Sequence, residues 1–129
     1  MPWLKESRGS VINISSTSSI RNIHNNIVYD TMKAALNHMT IGLLKDLRES
    51  GIRFNVVMPR GTSTPLLNKW YRQTMEDKGE ADRQVEIVKF AAHVAAPEQI
   101  AEVILFLVSD QSSWVNGAII PVDGGFYIE

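Results

Sequence analysis

The sequence predicts an α/β fold in which a parallel sheet of about three strands carries flanking helices. Residues 10–15, Ser-Val-Ile-Asn-Ile-Ser, form a short β-branched run. Residues 27–50 then turn helical, and residues 52–58, Ile-Arg-Phe-Asn-Val-Val-Met, form a second apolar run. Strand, helix and strand with short links make a crossover, the unit that joins parallel neighbours. A further stretch, residues 100–108, is apolar on nearly every face, as a helix packed between a sheet and a second partner requires.

In chain order, the first strand is bounded by Arg8-Gly9 and by a serine-rich turn. The polar residues 17–26 read as a loop. The long helix carries an apolar stripe of Met32, Leu36, Met39, Leu43 and Leu47 and stops at Gly51. After the second strand, residues 59–65 make a turn. Thr64 and Pro65 then suit the cap and first position of a helix that carries Leu66, Leu67, Trp70, Tyr71 and Thr74. Residues 76–86 are the most charged segment and read as solvated surface. Residues 85–95 suggest a short helix, and Pro97 opens the apolar one. Residues 118–122 form a last strand, whose Pro121 cannot donate to a ladder and so belongs at an edge.

Composition bounds the function. A chain of 129 residues, 44% hydrophobic and 21% charged, suits a single globular domain spanning residues 1–129. A formal net charge of −1 with no basic run gives nucleic acid or an anionic membrane nothing to recognise. The absence of cysteine removes disulfides, thiolate zinc sites and cysteine nucleophiles. The three histidines, His24, His38 and His93, lack metal-ligand spacing, so no metal is expected. Residues 1–8 have no apolar core and no run approaches a membrane span, so a soluble cytoplasmic protein is expected.

The chemistry centres on Ser16, Tyr29 and Lys33. Tyr29 and Lys33 stand four apart on the predicted helix and share a face, which sets an ammonium beside a phenol. One positive charge at ~4 Å in an effective dielectric of ~20 favours the phenolate by about 4 kcal/mol. That is enough to make the phenol a usable acid/base. Ser16 ends the first strand, where its hydroxyl can donate to a carbonyl oxygen or a developing alkoxide.

Further motifs flank these residues: Asn13-Ile14-Ser15-Ser16, Gly51-Ile52-Arg53-Phe54-Asn55, Pro59 with Thr64-Pro65, Pro97-Glu98-Gln99-Ile100-Ala101, and Val122-Asp123-Gly124-Gly125. In that order and spacing the chain resembles the C-terminal half of a classical short-chain dehydrogenase/reductase, from about Gly9 to Gly125. The resemblance implies a partial Rossmann-like, doubly wound fold whose N-terminal nucleotide-binding half is absent, a truncated version of the family's domain. It also implies an NAD(P)-dependent oxidoreductase that moves a hydride between a nicotinamide and an alcohol or ketone. On it, Ser16 orients the substrate oxygen, Tyr29 is the acid/base, and Lys33 holds the ribose hydroxyls and favours the phenolate. Pro59, Thr62 through its backbone and Thr64 through its hydroxyl fall at cofactor-binding positions beside Tyr29 and Lys33. Trp70 and Tyr71 lie where the family places its mobile substrate lid, and His24, Asn25 and Asn26 fall in the loop before Tyr29.

The chain departs from the family pattern in several places. It has no glycine-rich turn after an opening strand, no selector for the adenosine ribose, and no counterpart of the asparagine that completes the family's proton relay. The choice between NAD and NADP is lost with them. Arg60 stands where glycine usually follows Pro59, and Ala92-His93 replaces a common Gly-Arg. The first strand would form an unpaired edge and the long helix would uncover apolar surface. A homo-oligomer, or a partner chain supplying the nucleotide-binding half, is the expected assembly, with a small-molecule alcohol or ketone as substrate. The alternative is a non-catalytic fragment or interaction module that binds no cofactor.

Overall fold

The computed structural model describes residues 2–21, 26–76, 79 and 94–128. Its elements are α1 (Pro2–Glu6), β1 (Ser10–Ile14), α2 (Ile27–Asp46), β2 (Arg53–Pro59), α3 (Pro65–Met75), α4 (Pro97–Val108) and β3 (Ile119–Val122). The three strands form one parallel sheet in the order β1-β2-β3, with Val11 opposite Phe54 and Met58 opposite Pro121. Both expected edges are present. Pro121 sits on one of them, where its missing N–H interrupts nothing.

Central β2 is buried along its length because both of its faces are covered. Val57 packs with Ile100 and Leu107 of α4, extended by Ile12 of β1 and by Ile120 and Val122 of β3. Phe54, Val56 and Met58 alternate onto the face that α2 covers. Each such side chain contributes about 1.5–3 kcal/mol on burial. Among the described residues no helix is long and apolar enough to cross a membrane.

Polar side chains set the seams between these layers. Asn55, fully buried in β2, donates through Nδ2 to the Val115 carbonyl at 3.0 Å and accepts from the Ala118 amide at 2.9 Å. Asn116 Oδ1 takes the Phe54 amide at 2.9 Å, and Gly117 turns through a positive φ of 80° with Leu44 of α2 against it. Arg53 reaches the other way, donating to Ser112 Oγ, the Val115 carbonyl and the Ser109 carbonyl at 3.0, 3.3 and 3.2 Å. Its guanidinium thereby satisfies acceptors just beyond the C-terminus of α4.

Three details go beyond the sequence reading. The long helix ends as α-helix at Asp46, tightens to a 3₁₀ turn over Arg48–Ser50, and only then meets Gly51 in the left-handed region. Its apolar stripe is not the face on the sheet: Met32 and Met39 are 65% and 51% exposed, whereas Asp30, Asn37 and Thr40 are buried. The helix is turned by about 100°, one residue step, because β1 presents polar groups. Asn13 Nδ2 donates to Thr40 Oγ1 at 2.8 Å, and Thr40 Oγ1 donates to the Leu36 carbonyl. The uncovered apolar surface expected on this helix is there, with Ile27, Val28 and Met32 all well exposed. Finally, α1 was not foreseen. It ends in the bond from the Gly9 amide to the Leu4 carbonyl just before β1, where any side chain on Gly9 would meet the Leu4 side chain. Residues 85–93 of the expected short helix and most of the charged segment lie outside the described residues, and Ala95, at the end of that expected helix, instead forms an isolated parallel bridge with Thr62.

Candidate active site

Ser15 and Ser16 follow β1, and Pro59 to Thr62 end β2, so both sit at the C-terminal edge of the parallel sheet. Ligands of open α/β sheets bind at that edge. An open cleft of about 740 Å³ lies there, lined by Ser16, Tyr29, Lys33, Pro59, Thr62 and Thr64 together with Ile14, Arg60, Leu66, Leu67 and Trp70. All six residues singled out from the sequence therefore share one cavity. A second hollow of about 800 Å³, lined by Arg8, Arg48, Arg53 and Trp114, lies at the other end of the strands and holds none of them.

Tyr29 and Lys33 occupy successive turns of α2. The Lys33 ammonium stands 5.6 Å from the centroid of the Tyr29 ring and donates to the Ile14 carbonyl at 2.8 Å. Ser15 Oγ returns a bond to the Lys33 carbonyl at 3.0 Å, so helix and strand end are held from both sides. An ammonium carries three donors, which leaves capacity for a ligand. Tyr29 is half exposed, and its ring forms part of the cleft wall.

Ser16 has extended backbone and caps a 3₁₀ turn over Thr17–Ser19. Its Oγ accepts from the Ser18 amide at 3.2 Å and from Ser18 Oγ at 3.0 Å. A hydroxyl has two lone pairs and one proton, so what Ser16 still offers the cleft is its hydrogen. Sequence reasoning missed Ser18 and the neighbouring Ser19. Both lie in a run that reads simply as a polar turn.

Thr64 caps α3 by accepting the Leu67 amide at 3.3 Å, and its hydroxyl proton stays available. Thr62 forms an isolated parallel bridge with Ala95. The bonds of that bridge run through Gly61 and Ser63, which leaves the Thr62 amide out of it. Trp70 lines the cleft, half exposed, beside Leu66 and Leu67; Tyr71 is half-buried and does not join the lining. Asn26 is exposed just before α2, while His24, Asn25, Ala92 and His93 lie outside the described residues. No cluster of metal-ligating side chains occurs among the described residues.

Arg60, the residue that departs from the family's glycine, places its guanidinium 3.0 Å from the centroid of the Phe126 ring. Arg21 sits 4.7 Å from the same ring and donates to the Phe126 carbonyl at 2.8 Å. Phe126 is presented by the Asp123-Gly124-Gly125 turn, in which the Asp123 carboxylate accepts the amides of Gly125 and Tyr127, each at 2.9 Å. The two glycines take φ of 66° and 90°. The motif thus has a local cause, and the arginine has a partner that the sequence did not announce.

A family model described as enoyl-(acyl carrier protein) reductase matches residues 1–127. The L-xylulose reductase of Caenorhabditis elegans is 35% identical over 122 residues, 95% of this chain and 47% of that protein. The 3-oxoacyl-(acyl-carrier-protein) reductase FabG of Thermotoga maritima is 35% identical over 125 residues, 97% of this chain and 48% of its own length. The ligand-free aldohexose dehydrogenase of Thermoplasma acidophilum has the same fold, with a TM-score of 0.85 at 28% identity, covering 99% of this chain and 52% of the other. The chain spans about half the length of the curated relatives it matches. With the family model matched almost end to end and the parallel sheet shared with solved members, the chain belongs to the short-chain dehydrogenase/reductase family.

Proposed function

We propose that this chain carries the catalytic half of an NAD(P)-dependent oxidoreductase that interconverts an alcohol and a ketone. The observation that carries the reading is the convergence of Ser16, Tyr29, Lys33, Thr62 and Thr64 on one cleft at the C-terminal edge of the sheet.

The residues present fit the nicotinamide end of such a cofactor. Lys33 has donors to spare for ribose hydroxyls, and the Thr62 amide and Thr64 hydroxyl are available to a carboxamide. A bound nicotinamide supplies or accepts the hydride. In the reducing direction the Tyr29 hydroxyl gives its proton to the substrate oxygen as the carbonyl becomes an alcohol; in the oxidising direction the phenolate takes the proton from the alcohol. Ser16 donates its remaining hydrogen to the same oxygen and holds it in line. The Lys33 ammonium stands 5.6 Å from the centre of the Tyr29 ring, on the same helix face as the proton donor. Among these 129 residues no glycine-rich strand-turn-helix exists to hold the pyrophosphate. In this reading that half comes from outside these 129 residues, from a partner polypeptide or a longer form of the chain, and β1 offers it an edge to pair with.

A thermal melt with and without saturating NADH or NADPH tests the proposal. A ligand that binds only the folded form at about 100 times its Kd adds about 2.7 kcal/mol and raises the midpoint by several degrees. A rise with one nucleotide supports a usable site and names the cofactor. No rise with either, for the chain alone and with its copurifying partners, argues for a module that binds no cofactor.

A further inference from the structure

Two residues on one face of α2 line the candidate site, and a third on that face lies outside its lining. Tyr29 and Lys33 are followed four residues later by Asn37, one more turn along the same face. Asn37 is buried, and its Nδ2 donates to Ser19 Oγ at 2.8 Å. Ser19 Oγ in turn donates to the Ser16 carbonyl at 2.6 Å, with Met58 Sδ at 3.2 Å behind it. A hydroxyl has one proton, and Ser19 commits it to Ser16, so Ser19 must accept from Asn37. The direction of the chain of bonds is therefore set: Asn37 to Ser19 to Ser16.

Asn37 is otherwise a poor choice for this place. Its Oδ1 is buried with no hydrogen-bond partner among the described residues, which costs stability that an apolar residue of the same size would not lose. An asparagine here has a use only through its donor. The acceptor at the end of the chain is the backbone of the residue whose hydroxyl faces the cleft. Ser18 completes the arrangement, since its amide and hydroxyl occupy both lone pairs of Ser16 Oγ.

We propose that Asn37, acting through Ser19, is a positioning residue for Ser16: it locks the 3₁₀ turn in which Ser18 makes the Ser16 hydroxyl an obligate donor to the substrate oxygen. All three functional side chains are then referenced to one helix, two carried on it and the third tied to it. The inference deepens the proposed function and rests on it for the role of Ser16.

The test is amide hydrogen exchange by NMR on the 129-residue chain, because the Ser18 amide bonds directly to Ser16 Oγ and reports its rotamer. Ser19→Ala removes the relay, and Asn37→Asp draws the Ser19 proton away from Ser16. Each is expected to speed Ser18 exchange at least about tenfold while the amides of Val56 and Val57 keep their protection. Ser19→Thr, which retains the hydroxyl, restores the parental rate. Ser18 exchange unchanged in Ser19→Ala overturns the proposal, as does failure of Ser19→Thr to restore it. Ser19→Ala removes a single oxygen and decides alone if the carboxylate of Asn37→Asp unfolds the chain. The measurement needs neither nucleotide nor turnover, so its failure is distinguishable from failure of the proposed activity.

Discussion

The Lys33 ammonium donates to the Ile14 carbonyl oxygen across 2.8 Å, while the Lys33 carbonyl accepts from Ser15 Oγ at 3.0 Å. One lysine thus fastens both its ends to the edge strand next to Ser16, which fixes the helix carrying Tyr29 against the strand end. Lys33→Met removes the ammonium and keeps the stem. It should cost about 1 kcal/mol in a urea melt, as one partly solvated hydrogen bond does, and it should abolish the nucleotide-induced rise in midpoint. A full rise in Lys33→Met would remove Lys33 from the cofactor site.

Tyr29 is half exposed, and no hydrogen bond from its hydroxyl to the described residues supports the fold. Tyr29→Phe should leave the stability within about 0.5 kcal/mol of the parent in a urea melt. Turnover of a ketone in the active assembly should fall by about 10²–10⁴-fold, the usual contribution of a positioned acid. Parental turnover in Tyr29→Phe would sink the assignment of the proton donor.

Asn55 holds the β2–β3 seam through both ends of its amide. Asn55→Leu takes the acceptor from the Ala118 amide and leaves the Val115 carbonyl only its longer bond from Arg53, at a cost of about 1–3 kcal/mol. Asn55→Asp keeps the acceptor for Ala118 but loses the donor to Val115. It also buries a carboxylate, so it should recover little. Equilibrium urea unfolding measures both, and a loss below about 1 kcal/mol in Asn55→Leu would show that the seam relaxes to water.

Arg60→Gly removes the guanidinium that lies on Phe126. A desolvated cation–π contact contributes about 1–2 kcal/mol. The turn over Phe126–Ile128 should therefore loosen, and its amides should exchange several-fold faster while β2 is unchanged. Equal exchange in parent and variant would mean that the turn is held without Arg60, with the Asp123 carboxylate and the Arg21 bond to the Phe126 carbonyl sufficing.

Much of the fold was legible because its causes are local. Strand runs bounded by Gly and Ser, Thr64 with Pro65 opening α3, Pro97 opening α4, and Pro121 demanding an edge all act within a few residues of themselves. Tyr29 and Lys33 were legible for the same reason, since a four-residue spacing on a helix decides which side chains are neighbours. Tertiary structure decided what depends on distant segments meeting. Periodicity marked an apolar stripe on α2 without saying which of its faces meets the sheet. The polar groups of Asn13, Ser15 and Ser19 drew Asn37 and Thr40 inward, because a buried donor or acceptor costs more unpaired than a methionine costs exposed. The Asn37–Ser19–Ser16 relay and the stack of Arg60 on Phe126 join residues 18 to 66 positions apart. Such pairs carry no mark in the sequence, because their partners are chosen only when the strands align and the ends of the sheet come together.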